Sequence, residues 1–144
     1  VCDTAGEETE DSIVCYTTIR PDCLLLDGGV LRAVAMIEIV AQACAVYVGV
    51  NASREGKPPR VGMLVGCREA EFLVDHITAG DELTITVCRV FGHVQVAAFT
   101  GVVARAGAVV ARVHLSVVDA EMALGAPADQ EPARGAAGAQ ESET

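Results

Sequence analysis

The sequence predicts an α+β domain in which an antiparallel β-sheet wraps around one long apolar helix. One strand-like segment comes first, followed by an almost wholly apolar run over residues 33–50, in which only Glu38 and Gln42 are polar. Strand-like segments joined by short turns come next, as expected for an antiparallel sheet. A helix that is apolar nearly all round needs cover on more than one side. The sheet must therefore curl around it, or a second subunit must cover what remains.

The elements before and within the apolar run follow from local composition. Residues 1–12 are polar and acidic, and we predict that they are disordered. Residues 13–19 are rich in β-branched side chains, which is typical of a strand. Residues 20–30 are irregular and contain the turn signal Asp27-Gly28-Gly29. The helix is predicted from about residue 31 to residue 52.

The second half of the chain reads as consecutive strands. After a solvated loop over 51–59, the pattern predicts strands over 60–73, 82–91, 94–104 and 108–118, with turn residues at their junctions. From 120 to 144 the composition is dominated by Ala, Gly, Pro, Glu and Gln, which indicates a disordered tail. The ordered domain is then 13–119. A sheet wrapped about one central helix, usually in a dimer, is the hotdog fold.

Charge and cysteine usage exclude several classes of function. The net charge of −10 comes from the two ends, because the body over 13–118 has equal numbers of acids and bases. With no basic face and few aromatics, nucleic-acid binding is not expected. The six cysteines lie far apart without metal-ligand spacing, so we predict no metal site, no cofactor, and reduced thiols in a cytoplasmic protein.

The apolar run also approaches the shortest length of a membrane span. An acid and an amide inside such a span would be costly, and the segments after it read as strands. We therefore predict a buried central helix and no membrane span.

Glu38 is the first candidate for chemistry. It stands four residues before Gln42, so on a helix the two side chains lie on one face, one turn apart. Burying a carboxyl in apolar surroundings is costly unless the group is paired or keeps its proton. A carboxyl held neutral in an apolar wall can act as a proton donor near neutral pH.

Several short motifs together carry a resemblance to a known family. They are Asp27-Gly28-Gly29, Ala35-Met36-Ile37-Glu38, Ala41-Gln42-Ala43, Gly62-Met63-Leu64-Val65-Gly66-Cys67-Arg68 and Gly80-Asp81-Glu82-Leu83. As a set they resemble the β-hydroxyacyl-acyl carrier protein dehydratases of the hotdog superfamily, and most closely the ApeP-like group of aryl-polyene and related fatty-acid-like pathways. The resemblance covers about residues 13–119. Members usually have a further strand or helix before the first one predicted here, so we expect an N-terminally truncated start.

The resemblance implies syn elimination of water from a 3-hydroxyacyl thioester carried by acyl carrier protein or another thiol. A base removes the C2 proton, while a carboxylic acid, or the water it orients, assists departure of the 3-hydroxyl group. The acid maps to Glu38 and the family's supporting glutamine to Gln42. Gly28 and Gly29 would let the backbone approach the substrate, and the helix start would stabilise the enolate oxygen. Such dimers build each active site from both subunits, so a homodimer or a heterodimer with another hotdog subunit is expected.

The sequence departs from the family at the catalytic histidine. The window that should contain it reads Asp22, Cys23, Leu24, and the three histidines lie in later strands and turns. Asp22 could act as the base, Cys23 could line the site as an activated thiol, or the chain could be an inactive partner of a catalytic hotdog subunit. A fourth reading is a hotdog thioesterase, in which a helix carboxylate acts without histidine.

Basic residues give the remaining candidate sites. Arg54, Lys57 and Arg60 surround Pro58-Pro59 after the helix and could receive an acidic carrier protein. Arg68 interrupts an apolar strand. It is a candidate for substrate contact, with an ion pair to Glu69, Glu71 or a partner as the alternative.

Overall fold

The computed structural model describes residues 3–58, 62–92 and 96–119. In chain order the strands and helices are β1 (Thr4–Glu8), β2 (Ser12–Thr18), β3 (Val30–Arg32), a 3₁₀ turn (Ala33–Ala35), α1 (Met36–Arg54), β4 (Gly62–Phe72), β5 (His76–Thr78), β6 (Glu82–Gly92), β7 (Val96–Arg105) and β8 (Ala108–Asp119).

Six strands form one antiparallel sheet with the order β1-β2-β6-β7-β8-β4. The short strands β3 and β5 pair separately. The predicted α+β class with an antiparallel sheet is confirmed, and the five predicted strands fall within one or two residues of β2, β4, β6, β7 and β8. A short turn joins β7 to β8, and such local connections explain why these strands could be predicted from local sequence.

The helix α1 packs one face against the sheet. Its buried residues recur three and four positions apart, as one face of a helix requires, and they are Met36, Ile39, Val40, Ala43, Cys44 and Tyr47. The Tyr47 ring meets the Phe99 ring of β7 edge to face, with centroids 5.6 Å apart. The opposite face, including Glu38 and Ala45, is exposed in the single chain. The sheet therefore covers one side of the helix and leaves the other open.

The helix starts later than predicted. Residues 31 and 32 belong to β3, where Leu31 stands opposite Ile77 of β5 and is fully buried. This pairing partner is distant in sequence, so tertiary contacts override the local helical pattern. The 22-residue stretch Ala33–Arg54 is long and apolar enough to cross a membrane, with a mean hydropathy of 1.9. That is weak support for a span, because the core helix of a domain such as this one has the same length and composition.

The prediction that residues 1–12 are disordered is wrong for β1. This strand pairs antiparallel with β2, and its acidic neighbourhood is neutralised by bases of the body. Glu8 forms an ion pair with Arg54 at 3.1 Å, and Asp11 forms one with Arg89 at 3.4 Å. Acidic composition alone did not predict that this segment is ordered, because the bases that pair with its acids lie far away in the sequence. The predicted disordered tail over 120–144 lies outside the described residues.

The predicted turn at Asp27-Gly28-Gly29 is confirmed. The Asp27 N–H donates to the Val30 carbonyl at 2.8 Å, and the Val30 N–H donates back to the Asp27 carbonyl at 3.2 Å. Gly28 and Gly29 have φ values of 65° and 82°, as a type I′ turn requires at both central positions. The turn reverses the chain just before β3.

Candidate active site

A groove of about 500 Å³ lies beside the first turn of α1. It is lined by residues from the end of β2, the segment after it, the helix and the start of the chain, namely Asp3, Thr18, Ile19, Arg20, Asp22, Cys23, Leu24, Leu25, Glu38 and Gln42. The volume is within the range of small-molecule sites. The groove brings together four residues that sequence reasoning had singled out, which are Asp22, Cys23, Glu38 and Gln42.

Glu38 and Gln42 form the polar side of the groove on α1. The Gln42 Nε2 amide donates a hydrogen bond to Glu38 Oε1 at 3.1 Å. This is the contact expected of side chains four residues apart on a helix. It holds Oε1 against the next turn of the helix.

The expected burial of Glu38 is wrong for the single chain. Its side chain is exposed, because the sheet covers the opposite face of α1. The carboxyl nevertheless stands next to a cleft whose other walls include buried Ile19 and half-buried Leu25. Apolar surroundings on all sides of Glu38 would require a second molecule on the open side.

The segment after β2 turns twice as it passes the groove. The Cys23 N–H donates to the Arg20 carbonyl at 3.0 Å, and the Leu26 N–H donates to the Cys23 carbonyl at 3.1 Å. These turns leave Asp22 exposed and Cys23 half-buried, and Leu24 projects with 98% of its surface accessible. The residues standing where the family carries histidine thus line the same groove as Glu38.

Sequence reasoning missed the residues at the rim of the groove, above all Asp3 and Arg20. The Asp3 carboxylate accepts hydrogen bonds from Thr17 Oγ1 at 3.1 Å, the Thr18 N–H at 2.9 Å and Arg20 Nη2 at 2.7 Å. The hydrogen bond from the Thr18 backbone, with help from Thr17 and Arg20, lowers the pKa of Asp3. No local signal could have found this cluster, because Asp3 lies 14 or more positions from its partners.

The histidines of the described residues lie elsewhere. His76 is on β5 opposite Arg32, and His114 is on β8 opposite Thr100 on one side and Glu69 on the other. Neither lines the groove. His93 is outside the described residues.

The predicted glycine and arginine contacts fall outside the described lining of the groove. Gly28 and Gly29 occupy the exposed turn before β3, and Arg68 is exposed on β4, at the far edge of the sheet from β1. Of the acids considered for Arg68, Glu71 pairs with Arg112 at 3.4 Å. A substrate-binding role for the three residues stays a prediction.

The bases predicted to receive a carrier protein already have acidic neighbours within the chain. Arg54 pairs with Glu8 at 3.1 Å, and Lys57 pairs with Glu55 at 3.0 Å. These pairs are largely exposed, so each contributes little to stability and exchanges readily with other partners. Arg60 is outside the described residues, and docking at this loop stays a prediction.

Comparisons with known proteins agree with the fold and with the predicted family. The ApeP-like family model, described as ApeP dehydratase, matches residues 2–126. The dehydratase heterocomplex ApeI:P from Xenorhabdus doucetiae contains a chain with a similar structure, with a TM-score of 0.77 and 24% identity over 82% of this chain and 81% of that one. No curated protein gives a significant match to the sequence.

Solved structures of a hypothetical thioesterase and of a phenylacetic acid degradation protein share the fold at lower structural similarity. A hypothetical thioesterase with coenzyme A from Streptococcus pneumoniae TIGR4 has a TM-score of 0.61 and 12% identity over 81% of this chain and 86% of that one. The E. coli PaaI protein of phenylacetic acid degradation has a TM-score of 0.61 and 15% identity over 81% and 78% of the two chains. The predicted hotdog fold is confirmed.

Proposed function

Because the chain belongs to the ApeP-like dehydratase family, we propose that it contributes Glu38 and Gln42 to the dehydration of a 3-hydroxyacyl thioester, in an assembly whose second hotdog subunit completes the groove. The observation that carries this proposal is the groove itself. It brings a helix carboxyl, a supporting amide and an apolar wall together, yet its described lining includes no histidine.

The chemistry assigns the acid step to Glu38. A base takes the C2 proton, the C2–H electron pair forms the C2–C3 double bond, and the C3–O bond breaks. Protonated Glu38 gives its proton to the departing hydroxyl, which leaves as water, and the glutamate ends as a carboxylate. The hydrogen bond from Gln42 to Oε1 aims the other oxygen at the leaving group.

The start of the helix can stabilise the negative charge that develops on the thioester oxygen. Within the described residues no side chain caps the 3₁₀ turn over Ala33–Ala35 or the beginning of α1, but the Ala33 N–H donates to the Asp75 carbonyl at 3.1 Å and the Met36 N–H to the Ala33 carbonyl. The proposal therefore relies on the partial positive charge of the helix start, and Glu38 stands in the first turn of α1.

The base comes from the second subunit in this proposal. Asp22 is the candidate within the chain, but its side chain is exposed, and a hydrated carboxylate is a weak base toward a C2 proton. Cys23 lines the groove without a cationic neighbour next to it in sequence, so we assign it a place in the wall only. A partner that covers the open side of α1 would also remove water from Glu38.

The sheet offers an edge suited to such a partner. Among the described strands β4 is bonded to β8 alone, and residues 62–71 are exposed, including the apolar side chains of Met63, Leu64 and Val65. An exposed apolar edge strand is a template for pairing with another chain. The opposite edge, β1, is short and its register with β2 is irregular, which disfavours pairing there. The related heterocomplex named above is consistent with a hotdog partner.

We further propose that the thioester is carried by an acyl carrier protein, and that the reaction takes place in the cytoplasm, where the five described cysteines would stay reduced. An acidic carrier could displace Glu8 from Arg54 and Glu55 from Lys57. Charge reversal by Arg54→Glu should raise KM for the carrier-linked substrate and leave a small thioester surrogate unaffected. An equal change with both substrates would rule out docking at this loop.

The function is tested by following a 3-hydroxyacyl carrier protein by mass spectrometry, with the chain alone and reconstituted with a second hotdog dehydratase subunit. We expect loss of one water in the two-subunit assembly and little in the single chain. Water loss by the chain alone that Asp22→Asn abolishes would show that the base lies within the chain. Release of free thiol without water loss would indicate a thioesterase, the alternative favoured by a helix carboxylate without histidine.

A further inference from the structure

We infer that the ion pair between Asp3 and Arg20 keeps the groove negative, so that it takes an uncharged 3-hydroxyacyl chain and rejects one that ends in a carboxylate. The inference rests on the function proposed above, because it concerns the substrate of the same groove. It concerns two residues that the proposed reaction itself does not use.

The described lining of the groove carries more negative than positive charge. Asp3, Asp22 and Glu38 are its acids, and Arg20 is its base. With all groups ionised the formal sum is −2, and with Glu38 protonated for catalysis it is −1. An acyl chain with a terminal carboxylate would therefore enter a cleft of like charge in both states.

The positive charge of Arg20 is already paired with a carboxylate of the same chain. Its Nη2 donates to Asp3 Oδ1 at 2.7 Å, the shortest of the described ion pairs. Asp3 is in turn held by the Thr17 hydroxyl and the Thr18 N–H, which keep its carboxylate ionised and in place. Arg20 therefore cannot present an uncompensated positive charge to a ligand, although 65% of its side chain is accessible.

The rest of the wall favours hydrocarbon. Ile19 is buried and Leu25 half-buried in the core cluster, and both line the groove. An uncharged acyl chain gains from contact with these side chains and carries no charge of its own that must lose its hydration. A carboxylate loses hydration at the same place and faces the acids, and the penalty grows when a second subunit removes water.

Variants that change the formal charge of the groove lining by one unit, up or down, form a matched set. Asp3→Asn raises the sum by one and releases Arg20, while asparagine can still accept the Thr18 N–H. Arg20→Gln lowers the sum by one. The double variant restores the wild-type sum without the ion pair. Asp11→Asn is the control, because Asp11 also pairs with an arginine, Arg89 at 3.4 Å, but does not line the groove.

The experiment measures binding by calorimetry to the full chain, alone and in its two-subunit assembly. The probes are two pantetheine amides, one with a 3-hydroxyhexanoyl chain and one with the same chain ending in a carboxylate. In the wild type and in Asp11→Asn we expect the neutral probe to bind at least about tenfold more tightly than the anionic one. Asp3→Asn should remove most of this preference, Arg20→Gln should increase it, and the double variant should lie near the wild type.

High salt should weaken the preference, because screening shortens the reach of the groove's charges. Equal binding of the two probes, no binding of either, or an Asp3→Asn variant that matches Asp11→Asn would overturn the inference. Failure of the charge selectivity can be told apart from failure of the proposed dehydration. A wild type that dehydrates the neutral substrate but binds both probes equally refutes the selectivity alone, whereas discrimination without water loss in either assembly refutes the function alone.

Discussion

At Gly101 the sheet packs directly against Val40 of the helix that carries Glu38. A Cβ added at Gly101 would collide with Val40 Cγ1 and lie 3.3 Å from its Cγ2. Gly101 is held between Val87 of β6 and Val113 of β8, and Val40 is fully buried. Neither side of the contact has free space to move into. We therefore predict that Gly101→Ala destabilises the fold although it adds only one methyl group.

The expected magnitude follows from two opposing effects. Overpacking a rigid core costs about 1–3 kcal/mol. Replacing glycine in a strand recovers about 0.5–1 kcal/mol of conformational entropy. The net loss in the free energy of unfolding should be about 1–2 kcal/mol, which is a considerable part of the total for a domain of this size, about 5–15 kcal/mol.

A double-mutant cycle with Val40→Ala isolates the contact. Val40→Ala alone should cost about 2 kcal/mol from lost burial and the cavity left behind. In that background the new methyl group fills part of the cavity, so Gly101→Ala should cost nothing or stabilise. Urea unfolding gives the four free energies, and Gly49→Ala is the control, because its Cβ would meet nothing within 4 Å and should stabilise the helix. Additive losses in the cycle would refute this account of how the helix packs.

Three other perturbations test separate parts of the structure. Tyr47→Phe removes the hydroxyl that donates to the Glu10 carbonyl at 2.6 Å and should lower the free energy of unfolding by about 1 kcal/mol, and an unchanged urea midpoint would contradict this role. The Thr78 N–H and Arg105 lower the pKa of Asp81, so its contribution to stability should be complete above the ordinary aspartate pKa of 3.8 and be lost as pH falls through the lower folded-state pKa. Asp81→Asn should flatten this acid limb in unfolding curves. Gly29→Val places a branched side chain at a φ of 82° and should cost about 1–2 kcal/mol in urea unfolding, and a neutral result would show that the turn relaxes.

Local patterns predicted much of the fold. β6 and β8 are β-branched segments bounded by turn residues, and the hydrogen bond between Glu38 and Gln42 follows from their spacing on one helix. The elements that escaped prediction depend on partners distant in sequence. β1 is held by β2, Arg54 and Arg89, and β3 by β5.

The same distinction applies to the groove. Asp22 and Glu38 were identified as separate candidates, but their meeting in one cleft depends on how the segment after β2 folds over the helix. The role of Asp3 in holding Arg20 could not be read from a segment that looked like a solvated acidic end. The exposure of Glu38 was mispredicted because an apolar sequence does not reveal which face of the helix the sheet will cover.

In the proposed reaction Glu38 supplies the proton for departure of the hydroxyl while another group removes the C2 proton. The most direct measurement compares wild type and Glu38→Gln in the two-subunit assembly in D₂O, following water loss and deuterium exchange at C2 of the substrate together. We predict that Glu38→Gln slows water loss by about 10²-fold or more and leaves exchange at C2 intact. Water loss at the wild-type rate in Glu38→Gln would contradict the account.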